Sequence, residues 1–302
     1  MTKTKKIETE SHDSTKPLIL VDTSYTSFYR FFATIRWYSF AFPEEFKDLK
    51  TNNKYEWLKN KVFMEKYEKM YLDSIIKLVK KKVFDNSNVI FCMDSPKESL
   101  WRTQLQCDYK GDRADLSLKH DFKPVFQYTY STIIPNFISS SNNIYSLRIE
   151  KMEADDLIAI ISMHMKDKDI SHHVYLVSGD EDFLQLGRDN LTFINYKIKK
   201  PFVLTEEEAT NSLRTKFILG DTSDCIPSIF PKGIRAKKKE ILNSDIKLEE
   251  YLNSNPEARK QFEFNKKMID FRNIPKTYSN KVIKQFDKLF DKNKKINKEI
   301  DV

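Results

Sequence analysis

With 302 residues, 40% hydrophobic and 13% aromatic, the chain is long enough for one large domain or two small ones with a full core. Three cysteines without a C-x-x-C pair and five histidines without H-E-x-x-H exclude a disulfide scaffold and the common zinc sites, and point to a reducing interior. A formal charge of +8 favours a polyanionic partner. No run is long enough to span a membrane, and the first residues carry no apolar signal core, so an intracellular protein of the cytoplasm or nucleoid is expected.

Residues 1–16 read as a polar, disordered tail. Leu18-Ile19-Leu20-Val21 then predicts a buried strand that ends at Asp22. The segment Phe28-Tyr29-Arg30-Phe31-Phe32 through Arg36-Trp37-Tyr38 is dense in aromatics, which suits core packing more than a stacking platform. From Tyr55 to Lys82, Met64, Tyr67, Tyr71, Ile75, Leu78 and Val79 recur at helical steps. A second strand, Val89 to Met93, ends at Asp94. Glu153 to Met165 reads as a helix with Leu157, Ile158, Ile160, Ile161 and Met165 on its buried side. A third strand, Val174 to Val177, runs into Ser178-Gly179-Asp180-Glu181-Asp182. Continuous apolar strands alternating with helices predict an α/β fold: a parallel sheet with helices on both faces. Asp22, Asp94 and Asp180 then stand at the carboxyl edge, where open α/β sheets bind ligands.

After Pro201 helices dominate, starting with the N-cap pattern Thr205-Glu206-Glu207-Glu208. Gly220-Asp221-Thr222-Ser223-Asp224-Cys225-Ile226-Pro227 follows, then Lys232-Gly233-Ile234-Arg235 and the basic run Lys237-Lys238-Lys239. That run is either a duplex-backbone contact at a helix start or a solvated helix face. His172-His173 suits a loop rather than a ligand pair.

One or two acids would suffice to cap the Glu153 helix and complement its dipole. Three acids there, in a chain that already presents acids from three strand ends, suit hard cations better. Phosphodiester hydrolysis needs a stronger nucleophile and a better leaving group, and two divalent cations about 4 Å apart supply both. Asp22, Asp94, Glu153, Asp155, Asp156, Asp180, Asp182, Asp221 and Asp224 form the candidate ligand group. Without metals such a group is self-repulsive, and some members stay protonated. Trp101-Arg102 and Tyr109-Lys110-Gly111-Asp112-Arg113 lie between Asp94 and the Glu153 helix and offer cations for a phosphate and a ring for base stacking. An ordinary amphipathic surface segment reads equally well there.

In their order, Asp22 and Asp94 after strands, Glu153-Ala154-Asp155-Asp156, Ser178-Gly179-Asp180-x-Asp182 and Gly220-Asp221-x-x-Asp224-x-Ile226-Pro227 resemble the 5′-nuclease superfamily. That superfamily includes flap endonucleases, the 5′→3′ exonuclease domains of bacterial DNA polymerases and phage RNase H, and the phage-type members are the most similar. The resemblance implies a PIN-like nuclease core over about 17–203 with an arch at about 95–130, and a helical DNA-binding region at 204–302. A helix–hairpin–helix-like duplex clamp falls at about 213–245. It also implies two Mg²⁺ ions, with Mn²⁺ as a substitute. Asp22, Asp94, Glu153 and Asp155 resemble the first-site ligands; Asp180, Asp182 and Asp221, with Asp224 and Asp156 nearby, resemble those of the second. Lys110 resembles the arch lysine that approaches the scissile phosphate, with Arg102 or Arg113 as a supporting cation. Tyr109, Lys232, Gly233, Arg235, Lys237, Lys238 and Lys239 are the implied DNA contacts.

The family's clamp often binds K⁺. Here Cys225, Ser228 and Arg235 replace its usual Asn, Gly and Gly, and the hairpin is longer. The implied activity is removal of RNA primers or 5′ flaps during DNA replication and repair. The implied partners are duplex DNA with a flap, a nick or an RNA–DNA hybrid, and replication proteins such as a single-strand-binding protein or sliding clamp, acting on a monomer. A PIN-type single-strand ribonuclease and a catalytically silent DNA-structure-binding protein are the alternatives.

Overall fold

The computed structural model describes residues 16–50, 55–106, 109–110, 122–167, 172–231 and 236–290. Five strands form one sheet: β1 (Leu18–Asp22), β2 (Asn88–Met93), β3 (Ile144–Arg148), β4 (Val174–Val177) and β5 (Leu191–Ile194). Their spatial order is β3-β2-β1-β4-β5 and every pairing is parallel. Every residue of β1 and β2 is buried, which is why their sequences are continuous apolar runs rather than alternating ones. The outer strands β3 and β5 are additions to the three strands evident in the sequence. The chain builds outward from β1 through β2 to β3, then crosses to start β4 on the other side of β1. That reversal creates a switch point at the carboxyl edge beside Asp22.

Side chains alternate between the two faces. On one face, Leu18, Leu20, Ile90, Cys92 and Leu176 pack against Leu157, Ile158 and Ile161 of the Ala154–Asp167 helix. On the other, Ile19, Val21, Val89 and Phe91 meet Phe31 and Ile35 of the Thr23–Ala41 helix and Tyr67 and Tyr71 of the Lys61–Val79 helix. The dense aromatic stretch is therefore core: Phe31 and Tyr38 are buried, while Phe28 and Phe40 reach the surface. The helical periodicity from Tyr55 resolves into a 3₁₀ turn at Trp57–Lys59 and a helix that Asn60 caps by accepting the Phe63 amide at 2.9 Å. That helix stops at Lys80, whose φ of 73° breaks the hydrogen-bond ladder.

Beyond the sheet, Thr205 and Glu208 form the expected capping box at the start of the Glu206–Leu219 helix. Leu213, Phe217 and Ile218 of that helix share a core with Ile226, Ile229, Leu248, Leu252 and Phe262. The final helix, Lys276–Leu289, turns back to the sheet: its Val282 and Phe286 join the core around the Ala154–Asp167 helix. Among the described residues, no helix is long and apolar enough to cross a membrane.

Candidate active site

Each strand-end acid is engaged in at least one hydrogen bond. Asp22 caps the Thr23–Ala41 helix, its Oδ1 accepting the Tyr25 amide at 2.9 Å and its Oδ2 the Ser178 hydroxyl at 2.8 Å. Asp94 Oδ1 accepts the Ala154 amide at 2.6 Å, and Asp94 Oδ2 takes the Ser24 hydroxyl. Ser24 in turn meets the Tyr130 hydroxyl at 2.7 Å. Asp180 Oδ1 accepts the Asp182 amide at 2.9 Å. Gly179 sits where a Cβ would lie 1.9 Å from the Tyr25 hydroxyl, so a larger residue there would have to push the Tyr25 ring aside.

The first group of acids carries its own cations. Lys110 Nζ lies 2.5 Å from Glu153 Oε1, 4.0 Å from Asp155 Oδ2 and 3.9 Å from Asp224 Oδ2. Arg102 Nη1 reaches Glu153 Oε2 at 3.0 Å and Asp156 Oδ1 at 2.7 Å. Burial alone would raise the Glu153 carboxyl, but Lys110 and Arg102 overcome it and hold it at about 2. Asp22 behaves oppositely: burial, then the Asp94 charge, pushes it up to about 7. Asp94 is raised by burial despite the Ala154 amide, and Asp155 is raised well above the carboxylate range by burial and by Asp22 and Asp180.

The second group is drawn together by a residue not singled out in the sequence. Lys216, in the last turn of the Glu206–Leu219 helix, donates to Asp182 Oδ1 and, at 2.9 Å, to Asp221 Oδ2. Asp221 Oδ1 is held by the Ser223 amide at 2.9 Å and hydroxyl at 2.6 Å. Asp221 and Ile226 exchange backbone hydrogen bonds at 2.9 and 2.8 Å, closing a tight loop behind Gly220. Gly220 has φ 70° and a Cβ there would meet the Ile226 carbonyl at 2.3 Å. Cys225 also takes a left-handed conformation, φ 60°, which is uncommon for a residue other than Gly, Asn or Asp. Gln106 touches this loop, its Nε2 donating to the Cys225 carbonyl at 2.8 Å.

Three expected roles change with this geometry. Arg102 is 3% exposed, and its Nε donates to the Met268 carbonyl at 3.1 Å besides the two carboxylates, so it braces the site from behind rather than facing a phosphate. Asp156 is fully buried; Trp101 Nε1 donates to it at 2.9 Å and the Glu153 amide at 3.2 Å, which makes it a cap and counter-ion rather than a metal ligand. Tyr109 is 3% exposed with its hydroxyl on Glu153 at 3.0 Å, so no ring face is offered to a base. Lys238 and Lys239 lie on the Ala236–Leu242 helix, Lys238 over the Phe230 ring and Lys239 exposed. Arg113, Lys232, Gly233 and Arg235 lie outside the described residues, as does the side chain of Lys237.

Among the described residues, no three carboxylates close into a finished metal-ligand set. The donor chemistry nevertheless fits divalent cations. Asp22, Asp94, Asp155 and Asp182 are all raised, first by burial and then by neighbouring carboxylates: Asp94 and Asp180 act on Asp22, Glu153 on Asp94, Asp22 and Asp180 on Asp155, and Asp180 and Asp221 on Asp182. The ligands are all oxygens, which suits hard ions. The residues that sequence reading missed are Ser24, Tyr130 and Lys216. Lys216 had a signal, a cation placed just before Gly220-Asp221; Tyr130 lies on a π-helical turn, Thr129–Ile133, with no sequence mark of its own.

Residues 17–214 match the family model described as the 5'-3' exonuclease, N-terminal resolvase-like domain. The 5'-3' exonuclease of Buchnera aphidicola subsp. Schizaphis graminum is 31% identical over 163 residues, which cover 51% of this chain and 52% of that protein, so the chain spans about half the length of this relative. Ribonuclease H of Enterobacteria phage T4 is 22% identical over 247 residues, 76% of this chain and 79% of that one. The crystal structure of the bacteriophage T5 flap endonuclease in a pseudo-enzyme-product complex with DNA and metal ions shares the fold, with a TM-score of 0.60 at 16% identity over 91% of this chain and 99% of that one. With its acids at the carboxyl edge of a five-stranded parallel sheet, the chain belongs to the 5'-3' exonuclease N-terminal resolvase-like domain family, within the 5′-nuclease superfamily.

Proposed function

We propose that the protein is a divalent-metal-dependent, structure-specific 5′ nuclease that removes 5′ flaps or RNA primers from duplex DNA in exonuclease or flap endonuclease mode. The observation that carries this reading is the convergence of Asp22, Asp94, Asp155 and Asp180 at one sheet edge, with burial and then neighbouring carboxylates, Glu153 among them, raising Asp22, Asp94 and Asp155. Mg²⁺ is the expected ion and Mn²⁺ a substitute, since both take oxygen ligands. Asp22, Asp94, Glu153 and Asp155 would hold one ion, and Asp180, Asp182 and Asp221 the other, with Asp224 alongside. When bound, the ions activate water and stabilise the leaving oxygen of a phosphodiester.

The chain's own residues do the rest. Ser24 and Tyr130 orient Asp94, and Ser178 orients Asp22, so the ligands are set before metal arrives. Lys110, at the base of the arch segment, stands beside Glu153 and Asp155 at the point where a phosphate would meet the acids. Lys238 and Lys239 hold the duplex through its phosphates at a distance from the acids. In this reading residues 17–203 are the nuclease core and 204–302 the DNA-binding region.

The test is product mapping on 5′-labelled flap, nicked and RNA–DNA hybrid duplexes with and without Mg²⁺. Junction cuts or short 5′ products that vanish with chelator are expected. Cleavage confined to single-stranded RNA would replace this reading with a PIN-type ribonuclease, and duplex binding without any cleavage would leave a DNA-structure sensor.

A further inference from the structure

We propose that Lys216 is the resident counter-cation of the second acid group: it holds Asp182 and Asp221 together while no divalent ion is present, and an ion entering there displaces it. The inference rests on the metal-dependent reading above.

Three observations carry it. First, the ammonium of Lys216 contacts carboxylate oxygens from two separate segments, Asp182 after β4 and Asp221 after the Glu206–Leu219 helix. Other lysines, such as Lys47, Lys59, Lys81 and Lys247, pair with an acid three or four residues away on the exposed face of a single helix or turn. Those contacts are local and weak; the Lys216 bridge spans the fold. Second, the lysine is anchored from behind. Its carbonyl accepts the Gly220 amide at 2.8 Å, which fixes the helix end, so only the side chain is free to leave. A lysine in the last turn does complement the helix dipole, but that role is satisfied in solvent and does not require reaching Asp182. Third, the oxygens it occupies are among those the second ion needs, because Asp221 Oδ1 is already taken by Ser223. Ammonium and divalent ion therefore compete for the same acceptors.

The experiment is a Mn²⁺ titration of the whole protein without DNA, read by electron paramagnetic resonance, on the wild type and on K216M, K216Q and K216R. Melting temperatures are recorded with and without Mg²⁺. K216M and K216Q are expected to tighten one class of Mn²⁺ site about tenfold, the change that 1.4 kcal/mol brings. They should melt lower than wild type without metal and gain more from Mg²⁺. K216R, which keeps the charge, should retain wild-type Mn²⁺ affinity. Mn²⁺ binding that is unchanged or weakened in K216M and K216Q overturns the counter-cation role and leaves the nuclease reading intact. Absence of Mn²⁺ binding in the wild type and every variant overturns both.

Discussion

Asp94 caps the helix that delivers its neighbours: its Oδ1 accepts the Ala154 amide at 2.6 Å, joining the end of β2 to the first turn that carries Asp155 and Asp156. One carboxylate is thus both a helix cap and a candidate ligand. Asp94→Asn keeps an acceptor for the amide while removing the charge. We expect it to fold normally and to lose cleavage by at least about 100-fold, more than loss of an outer-shell partner costs. Asp180→Ala should do the same, with flap or nick binding largely retained in both. Loss of binding in step with cleavage would count against metal ligation.

Arg102 answers to a different measurement. Arg102→Ala leaves buried Asp156 without its cation and Glu153 with Lys110 alone, which costs about 3–5 kcal/mol. Urea denaturation should show that loss directly. A variant of normal stability but without activity would restore Arg102 as a phosphate-facing cation.

The acid cluster gives stability a defined pH dependence. Asp22 is raised from 3.8 to about 7, so its contribution is complete below about 3.8 and is lost as pH rises towards 7. Glu153 runs the other way: lowered from 4.5 to about 2, it stabilises above 4.5 and loses that effect only as pH falls towards 2. Metal-free protein should therefore melt lower at pH 7.5 than at pH 5. Mg²⁺ should raise the melting temperature more at pH 7.5, where Asp22 is ionised and waiting for a cation. Thermal scans in chelator and in Mg²⁺ at the two pH values decide it; a Mg²⁺ effect independent of pH would argue against ligation by Asp22.

Lys237, Lys238 and Lys239 make a prediction about salt. Replacing all three by Ala should weaken duplex binding and reduce the slope of log K against log salt by about 2 to 3, close to one unit for each phosphate no longer neutralised. Fluorescence anisotropy over a range of KCl concentrations measures it. An unchanged slope assigns the run to a solvated helix face.

Gly179→Ala tests the close approach of two loops. The new methyl would meet the Tyr25 hydroxyl at 1.9 Å and push the ring aside, at a cost of up to about 1 kcal/mol if it swings toward solvent. Reduced stability by denaturant titration is expected, together with weakened Mg²⁺ binding, because the shift falls beside Asp180.

Asp22, Asp94 and Asp180 were legible because each follows a run of apolar residues that only a buried parallel strand explains. The strands β3 and β5 were not: Ser146 and Arg148 interrupt one, and Thr192 breaks the apolar run of the other. Pairing explains the remaining differences. The charge of Arg102 is written in the sequence, but its burial against Glu153, 51 residues away, is not. Tyr130 reaches Ser24 across 106 residues and Lys216 reaches Asp182 across 34, pairings that exist only once the chain has folded. Tyr109 likewise reads as a stacking ring until the fold encloses it.

The return of the Lys276–Leu289 helix to the Ala154–Asp167 helix makes the second half of the chain a bight rather than a pendant module. It leaves the sheet through the helix that carries Lys216 and comes back under the helix that carries Asp155. The segment between them is therefore moored at both ends, once beneath each group of acids.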